Sequence, residues 1–258
     1  MLNYDFILKK SNTSHIDRIT IEREYWQLIF LQQLYVPKNS DSLFFKGGTA
    51  IRFLFNSFRF SEDLDFTSTL TKKETESLLS YTFNFFHKNA SEQIEIKKEP
   101  VFKKFEENSL KYRFLFTPYQ GSQKTSIRID VSFREKPQAP KKSVLVPFDY
   151  PISPYPLVVH LGSGEILAEK IRALLVRSQP RDLFDIWFLL TQKIPIDEKI
   201  IEKKMTLYPD IKFNINTLNQ HIQMYDEKKL KMDLNQFLPI QYRTFYKELK
   251  NKTLEMLS

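Results

Sequence analysis

Two adjacent glycines, followed by a segment that alternates acidic and apolar residues, limit most strongly how this chain can fold. Residues 46–66 read KGGTAIRFLFNSFRFSEDLDF, and Gly47 and Gly48 are two of only five glycines in 258 residues. The apolar run LFF ahead of the glycines predicts a short strand or a turn that leads into a helix over about residues 49–57. The alternation in DLDFT predicts a half-buried strand over 63–67.

Asp63 and Asp65 are predicted to share one face of that strand, because residues two apart on a strand point to the same side. Two unpaired carboxylates so close together repel each other. A divalent cation such as Mg²⁺ or Mn²⁺ relieves the repulsion, since both ions prefer hard oxygen ligands. The same pattern also fits an exposed strand that carries two solvated acids.

A third acid, Asp130, lies in the strand-like segment SIRIDVSF. Ile129 and Val131 alternate with it and are expected in the core, so Asp130 is predicted to project from the polar face of a second strand.

The glycines and nearby cations predict a place for phosphate groups. Gly47 and Gly48 have no side chains to keep a phosphate from the backbone N–H groups, and a helix N-terminus adds partial positive charge. Lys46, Arg52 and Arg59 bring further positive charge near the same place in the sequence. Together with three acids, this set favours phosphoryl or nucleotidyl transfer.

The rest of the first half predicts helices and strands in alternation. An amphipathic helix is predicted over 14–35, and a second begins with a capping box formed by Thr71 and Glu74. Three strand-like segments follow, QIEIKK, SLKYRFLFTPY and TSIRIDVSF, with a hairpin loop at 120–124 between the last two.

Prolines concentrate between residues 134 and 160, which excludes a long helix or a central strand there. We therefore expect a domain boundary in this stretch, with an α/β domain over 1–145 and a mainly helical domain over 146–258.

Helices are predicted over 164–178 and 180–192, followed by basic helical material to the end. Lys170 and Arg177 fall on one side of the first helix, and Asp182 and Asp185 share a face of the second. These charges either pair with one another in an ordinary helical hairpin or contribute to a functional site.

The overall charge indicates which classes of molecule the protein binds. The net charge is +8, which favours nucleic acid, nucleotide phosphates or an acidic partner; a lysine-rich proteome gives the same excess. The basic segments EKKLKMD and KELKNK either touch RNA or form solvated helical faces.

Cysteine is absent and the four histidines are scattered, which excludes disulfides and thiolate metal sites and fits a reducing cytoplasm. We expect a cytoplasmic protein without a membrane segment or secretory signal.

Taken together, these motifs resemble those of a known family. Paired small residues at a helix start, a DxD pair and a later acid resemble the nucleotidyltransferase (polymerase β-like) superfamily. The string KGGTAIRFLFNSFRFSEDLDF resembles its AbiEii/AbiGii toxin branch, which has KGGTAL and then R-x-S-x-DLDF; Ile51 stands where that branch has leucine. EILAEKIRALLVRSQPRDLFDIWFLL and IEREYW also resemble segments of this branch, so the likeness covers about residues 20–192.

The resemblance implies a fold and an activity. The fold would be α+β, with an N-terminal mixed sheet flanked by helices and a helical C-terminal half. The activity would be Mg²⁺-dependent transfer of a nucleoside monophosphate from an NTP to an acceptor hydroxyl, with a tRNA 3′ end as the first choice of acceptor. The protein would be the toxin of a toxin–antitoxin, phage-defence system, with an antitoxin from an adjacent gene. The alternatives are a transferase that modifies proteins and a non-catalytic nucleic-acid-binding defence protein.

The resemblance also implies roles for single residues. Asp63, Asp65 and Asp130 would bind the metal ions, Lys170 would contact the triphosphate, and Asp185 would shape the nucleotide pocket or support Lys170. The residues implied in nucleotide binding are Lys46, Gly47, Gly48, Thr49, Arg59, Ser61, Lys170, Arg177, Arg181 and Asp182. The implied catalytic residues are Asp63, Asp65, Asp130, Lys170 and Asp185.

Overall fold

The computed structural model describes residues 3–90, 93–101, 107–119, 121, 123–145 and 149–257. Two compact units make up the chain: Met1–Asn56 with Phe60–Leu161, and Ser57–Arg59 with Gly162–Ser258. The predicted loop positions 120 and 122, and residue 146 at the predicted domain boundary, lie outside the described residues.

The first unit contains four α-helices and seven strands among its described residues. The helices are α1 (Tyr4–Ser14), α2 (Arg18–Leu34), α3 (Gly47–Phe55) and α4 (Lys72–Asn89), with a 3₁₀ turn at Lys38–Ser42. The strands are β1 (Leu43–Lys46), β2 (Leu64–Ser68), β3 (Ile94–Lys98), β4 (Ser109–Phe116), β5 (Thr125–Ser132), β6 (Lys141–Val144) and β7 (Leu157–His160).

The seven strands form one mixed sheet in the order β3-β4-β5-β2-β1-β7-β6. β2 runs parallel to β5 and β1 runs parallel to β7, while the other neighbours are antiparallel. The predicted α+β class is confirmed. The strand–helix–strand unit predicted from the glycines is also confirmed as β1, α3 and β2, although β2 begins at Leu64, one residue after Asp63.

Aromatic side chains fix α2 and α4 against one face of the sheet. The ring of Phe86 in α4 lies 4.8 Å from that of Phe114 in β4, centroid to centroid, and 6.1 Å from that of Phe30 in α2. All three are buried, and burying each such side chain stabilises the fold by about 1.5–3 kcal/mol. Since successive strand residues alternate in direction, the opposite face of β4 and β5 carries polar side chains.

Side-chain caps mark the first residues of two helices, α4 and α2. The predicted capping box at α4 is confirmed, because the Thr71 hydroxyl accepts from the Glu74 backbone N–H and the Glu74 carboxylate accepts from that of Thr71. The helix predicted over 14–35 begins only at Arg18, where the Asp17 carboxylate accepts from the Thr20 N–H. His15, at φ 51°, ends a separate helix, α1, that the sequence analysis did not predict.

The proline-rich stretch holds a central strand, so the prediction that excluded one was wrong. β7 lies between β1 and β6, and the Leu161 N–H donates to the Phe45 carbonyl at 3.1 Å. The physical reason is that the prolines end at Pro156, which leaves 157–160 with backbone N–H groups for pairing. The second compact unit contains Gly162–Ser258 together with Ser57–Arg59, and the domain boundary expected after residue 145 stays a prediction.

The second unit is helical, as predicted. Its helices are α5 (Ser163–Arg177), α6 (Pro180–Thr191), α7 (Glu198–Met205), α8 (Ile215–Gln223), α9 (Glu227–Leu234) and α10 (Tyr246–Leu257), with a 3₁₀ turn at Ile240–Tyr242. None of the helices in the described part of the chain has the length and apolar character needed to cross a bilayer.

Candidate active site

Gly47 and Asp65 make the closest approach around the predicted site. Gly47 begins α3 with φ +80°, a conformation that L-residues rarely adopt. A Cβ added there would lie 2.1 Å from Oδ2 of Asp65 and 2.9 Å from its Cγ. The carboxylate of Asp65 therefore lies directly against the glycine at the helix start, in space that a side chain would fill.

Four charged residues form a row across four neighbouring strands of the sheet. Lys46 of β1 stands opposite Asp65 of β2, Asp65 stands opposite Asp130 of β5, and Asp130 stands opposite Lys111 of β4. Directly opposed residues of a sheet project to the same face. This charged row of Lys46, Asp65, Asp130 and Lys111 therefore places the two acids side by side, with a cation at each end.

Two acids of the site are paired with cations. Asp63 lies just before β2, and its Oδ1 is 3.2 Å from Nε of Arg128. Oδ2 of Asp130 is 3.1 Å from Nζ of Lys111. Both cations keep much of their side chain exposed, 57% for Arg128 and 43% for Lys111. Solvent therefore weakens these pairs, and the two side chains are able to move away.

The acids suit a divalent cation by chemistry and by placement. Asp65 and Asp130 supply hard oxygen ligands from adjacent strands, and Asp63 is two residues away. Among the residues that the structure describes, however, no group of three or more His, Cys, Asp or Glu side chains is close enough to hold a metal ion. For all three to act together, Asp63 has to release Arg128 and Asp130 has to release Lys111.

Thr49 and Ser61 fix the backbone that leads into β2. The buried Thr49 hydroxyl donates to the main-chain carbonyl of Asp63. The main-chain carbonyl of Ser61 accepts from the side-chain amide of Gln27 in α2 at 3.0 Å. Gly48 is buried next to Thr49. These contacts hold the segment before Asp65 in place.

The guanidinium of Arg52 is buried and paired with a carboxylate, so it does not offer positive charge to a phosphate, contrary to the expectation from the sequence. Its Nε lies 2.6 Å from Oε1 of Glu24, and its guanidinium stacks over Phe60 with 4.1 Å to the ring centroid. The Tyr150 hydroxyl donates to the other oxygen of Glu24 at 2.9 Å. All of these side chains are buried, because Arg52 lies on the face of α3 that packs into the first unit.

A second group of predicted residues forms a buried ion network in the second unit. Asp185 accepts two parallel bonds from Arg59, at 2.8 and 2.9 Å, and a third contact from Nζ of Lys170 at 2.7 Å. Asp182 binds Nζ of Lys170 at 3.1 Å and Arg177 at 2.8 and 3.0 Å. The interpretation in which the charges of α5 and α6 pair with one another thus matches the structure, and Arg59 is part of the same network.

Lys170 and Asp182 of this network both have pKa values shifted in the direction that keeps them charged. Burial by itself lowers the pKa of Lys170, but the carboxylates of Asp185 and Asp182 outweigh it and raise that pKa above its ordinary value. Burial also raises the pKa of Asp182, but Lys170 and Arg177 outweigh it and lower that pKa. Both groups are therefore charged at neutral pH.

Two further contacts in this unit were not predicted. Nζ of Lys204 in α7 lies 2.7 Å from Glu165 and 3.2 Å from Glu169, both in α5. Ile201 and Met205 are buried on the same helix. These two apolar residues, three before and one after Lys204, are the signal in the sequence that Lys204 faces inward. The acids of the EILAEK segment therefore join two helices.

Arg181 lies at the start of α6. Its backbone N–H donates to the Asp233 carboxylate at 3.2 Å, and its guanidinium lies 5.9 Å from the ring centroid of Phe237. These contacts connect α6 to the segment that contains α9.

Comparison with known proteins gives a family and a fold. The family described as "Nucleotidyl transferase AbiEii toxin, Type IV TA system" matches residues 29–253. MenT4, a nucleotidyltransferase toxin of Mycobacterium tuberculosis H37Rv, has a similar structure, with a TM-score of 0.67 and 18% identity over 100% of this chain and 90% of that one. JHP933 of Helicobacter pylori is similar with a TM-score of 0.57 and 18% identity, over 94% and 93% of the two chains. No curated protein sequence matches.

Replacing Gly47 tests the close approach at α3. We expect Gly47→Ala to lower the free energy of unfolding by about 1–2 kcal/mol, because alanine is strained at φ +80° and its methyl group displaces the Asp65 carboxylate. Gly164→Ala is the matched control: a Cβ there has no neighbour within 4 Å, and Gly164 lies in the first turn of α5, where alanine should leave the free energy of unfolding unchanged or raise it slightly. Urea unfolding measures both. Effects of the same sign would contradict this description.

Neutralising Asp185 tests the buried network. Asp185→Asn leaves Arg59 and Lys170 buried with too little negative charge, and we expect a loss of about 3–5 kcal/mol in the free energy of unfolding. The chain has two tryptophans, so a Trp26→Phe background leaves Trp187 of α6 to report the second unit by fluorescence during urea unfolding.

Glu248→Gln, which removes an exposed 3.3 Å pair with Lys252, is the control and should change the free energy by less than about 1 kcal/mol. Equal effects of the two substitutions would show that the Asp185 network is unimportant for stability.

Proposed function

The chain belongs to the family of AbiEii nucleotidyltransferase toxins of type IV toxin–antitoxin systems, and we propose that it transfers a nucleoside monophosphate to the 3′ end of a tRNA. As a nucleotidyltransferase toxin it has an NTP as substrate and an antitoxin as partner. The Mg²⁺ dependence, the tRNA acceptor, the role in phage defence and the cytoplasmic location are part of the proposal.

The observation that carries the proposal is the pair of acids in the charged row. Asp65 and Asp130 stand opposite each other on parallel strands, and Asp65 adjoins the N-terminus of α3 through Gly47. Nucleotidyl transfer needs negative ligands for metal ions beside a place that attracts phosphate. The first unit offers both in the same part of the sheet.

Each residue of this region has a proposed task. Asp65 and Asp130, with Asp63, would hold Mg²⁺, which when bound neutralises the triphosphate and polarises its α-phosphorus. The backbone N–H groups at Gly47 and Gly48 would receive phosphate oxygens, aided by the helix dipole. Thr49 acts through the main chain of Asp63, which its hydroxyl holds, and is a positioning residue; the hydroxyl of Ser61 is proposed to position the phosphates.

In the transfer step, the acceptor hydroxyl oxygen bonds to the α-phosphorus while the bond from that phosphorus to the bridging oxygen breaks. Pyrophosphate leaves with the electron pair of the broken bond. Asp130 is proposed to accept the proton of the attacking hydroxyl. Lys46, at the other end of the pair of acids, would offset the negative charge of the triphosphate.

The roles that the resemblance implies for the buried network remain proposals: Lys170 at the triphosphate, Asp185 as its support or as part of the nucleotide pocket, and Arg59 and Asp182 in nucleotide binding. Lys170 contacts two carboxylates, so we propose that these residues also set the geometry of the second unit. Arg177 has about half of its side chain exposed while bound to Asp182, and it is the cation of this network with most surface for an anionic ligand.

The acceptor is proposed to be RNA because the chain is basic. Its net charge of +8 favours polyanions, and cationic side chains such as Lys111, Arg113, Arg128 and Arg134 lie exposed or half-exposed on and beside β4 and β5.

Labelling of total RNA tests the proposed function. The protein is incubated with total RNA and each radiolabelled NTP in turn, with Mg²⁺ or with EDTA, and the products are separated on a gel. We expect a labelled band of tRNA size that depends on Mg²⁺. Asp65→Asn should weaken it by about a hundredfold or more, because one charge that stabilises the transition state is lost.

Asp41→Asn is the control for this assay. It removes an exposed carboxylate that pairs with Lys142 and should leave the labelling unchanged. Wild-type labelling by Asp65→Asn would refute the assignment of the site, and label in the protein band instead of the RNA would replace tRNA by a protein acceptor.

A further inference from the structure

A cavity of about 250 Å³ opens beside Asp130 on the polar face of the first unit. Asp130 and Lys111, two members of the charged row, line it together with Arg134. The hydroxyl-bearing residues Ser109 and Ser132 line it as well. The proposed proton acceptor of the reaction, Asp130, therefore forms part of the wall of this cavity.

The polar groups of the cavity follow one another along β5. Asp130 and Ser132 are two residues apart on the strand, which corresponds to about 6.6 Å. Arg134 follows two residues later, with its Nε 3.4 Å from Oγ of Ser132. On β4, Ser109 stands opposite Ser132 and Lys111 stands opposite Asp130. A ligand in this cavity meets a carboxylate at one end, hydroxyls next, and a guanidinium beyond them.

We propose that this cavity is the acceptor subsite and receives the 3′-terminal nucleotide of an RNA strand. The terminal hydroxyl lies at Asp130, and the phosphate that joins the last nucleotide to the strand lies between Lys111 and Arg134. The inference rests on the proposed function and deepens it, since it assigns the acceptor to nucleic acid by the groups that recognise it.

The charges of the cavity favour a phosphate over a neutral group. Two cations and one carboxylate line it, and arginine and lysine form charge-assisted bonds to phosphate oxygens that are stronger than neutral ones. The ammonium of Lys111 has three donors, so once it is released from Asp130 it is able to bind a phosphate in the same cavity. A serine or tyrosine of a protein acceptor brings no phosphate next to its hydroxyl.

The size and remaining walls fit a single nucleotide. Pockets for drug-sized ligands measure roughly 300–1,000 Å³, so a cavity of about 250 Å³ suits a group of one sugar and phosphate rather than a folded helix. Pro100 and Val101 also line it, and they offer an apolar surface to the ribose or base.

RNA binding without NTP tests the subsite. The probe is a short single-stranded RNA with a tRNA-like 3′ end, a free 3′ hydroxyl and a 5′ fluorescein, followed by anisotropy over a range of salt concentrations. Arg134→Gln and Lys111→Gln should each weaken binding about tenfold, the effect of one charge-assisted bond. Each should also reduce the slope of log K against log salt by about 0.7.

The control Lys141→Gln removes an equal charge from β6, outside the cavity, and should leave the affinity close to that of the wild type. If all three substitutions have the same effect, the cavity has no special role and the proposal is overturned.

An RNA probe with one uncharged linkage tests where the phosphate binds in the cavity. Methylphosphonate at the 3′-terminal linkage should weaken wild-type binding about tenfold or more and should weaken Arg134→Gln by clearly less, because one of the two partners of the phosphate is already missing. Methylphosphonate at the 5′-terminal linkage is the control and should have little effect. Additive losses from Arg134→Gln and the 3′ modification would contradict the assignment.

These results are independent of catalysis. Predicted affinities with no transfer in the labelling assay would refute the proposed function and leave the cavity as an RNA 3′-end site. Transfer to RNA with equal affinities of all variants would refute the subsite and leave the proposed function intact.

Discussion

The contact between the Asp65 carboxylate and Gly47 is the constraint on which the candidate site depends. Asp65 can point along the polar face of the sheet only because Gly47 has no side chain and adopts φ +80°. The contact ties the start of α3 to β2, and β2 in turn pairs with β5. The contact thus places the Asp65 carboxylate beside the proposed phosphate position, while the strand register sets Asp130 next to Asp65.

The buried ions of the second unit illustrate a different physical requirement. Asp182 and Asp185 are completely buried, and a carboxylate without partners would cost several kcal/mol there. Lys170, Arg177 and Arg59 supply the positive charge. The motif EK…RD…D therefore forms buried ion pairs in this chain, and a part of its residues in nucleotide binding stays a proposal.

Local features were predictable from the sequence, and pairings between distant segments were not. The glycines, the capping box at Thr71 and the helices α5 and α6 follow from short-range patterns, and the structure confirms them. The register that sets Asp65 opposite Asp130 joins segments 65 residues apart, and no local pattern specifies it. β7 was missed because the prolines around it dominate the pattern, and Arg52 was misassigned because its partner Glu24 lies on another helix.

The most direct test of the central claim, that Asp65 and Asp130 bind a metal–nucleotide complex, is calorimetric titration of each NTP into the protein. We predict binding in Mg²⁺, none in EDTA, and none in Mg²⁺ when both acids are replaced, as in Asp65→Asn with Asp130→Asn. Loss of binding in that variant while its far-ultraviolet circular dichroism stays native would support the claim. Equal NTP binding with and without Mg²⁺, unchanged by the double substitution, would contradict it.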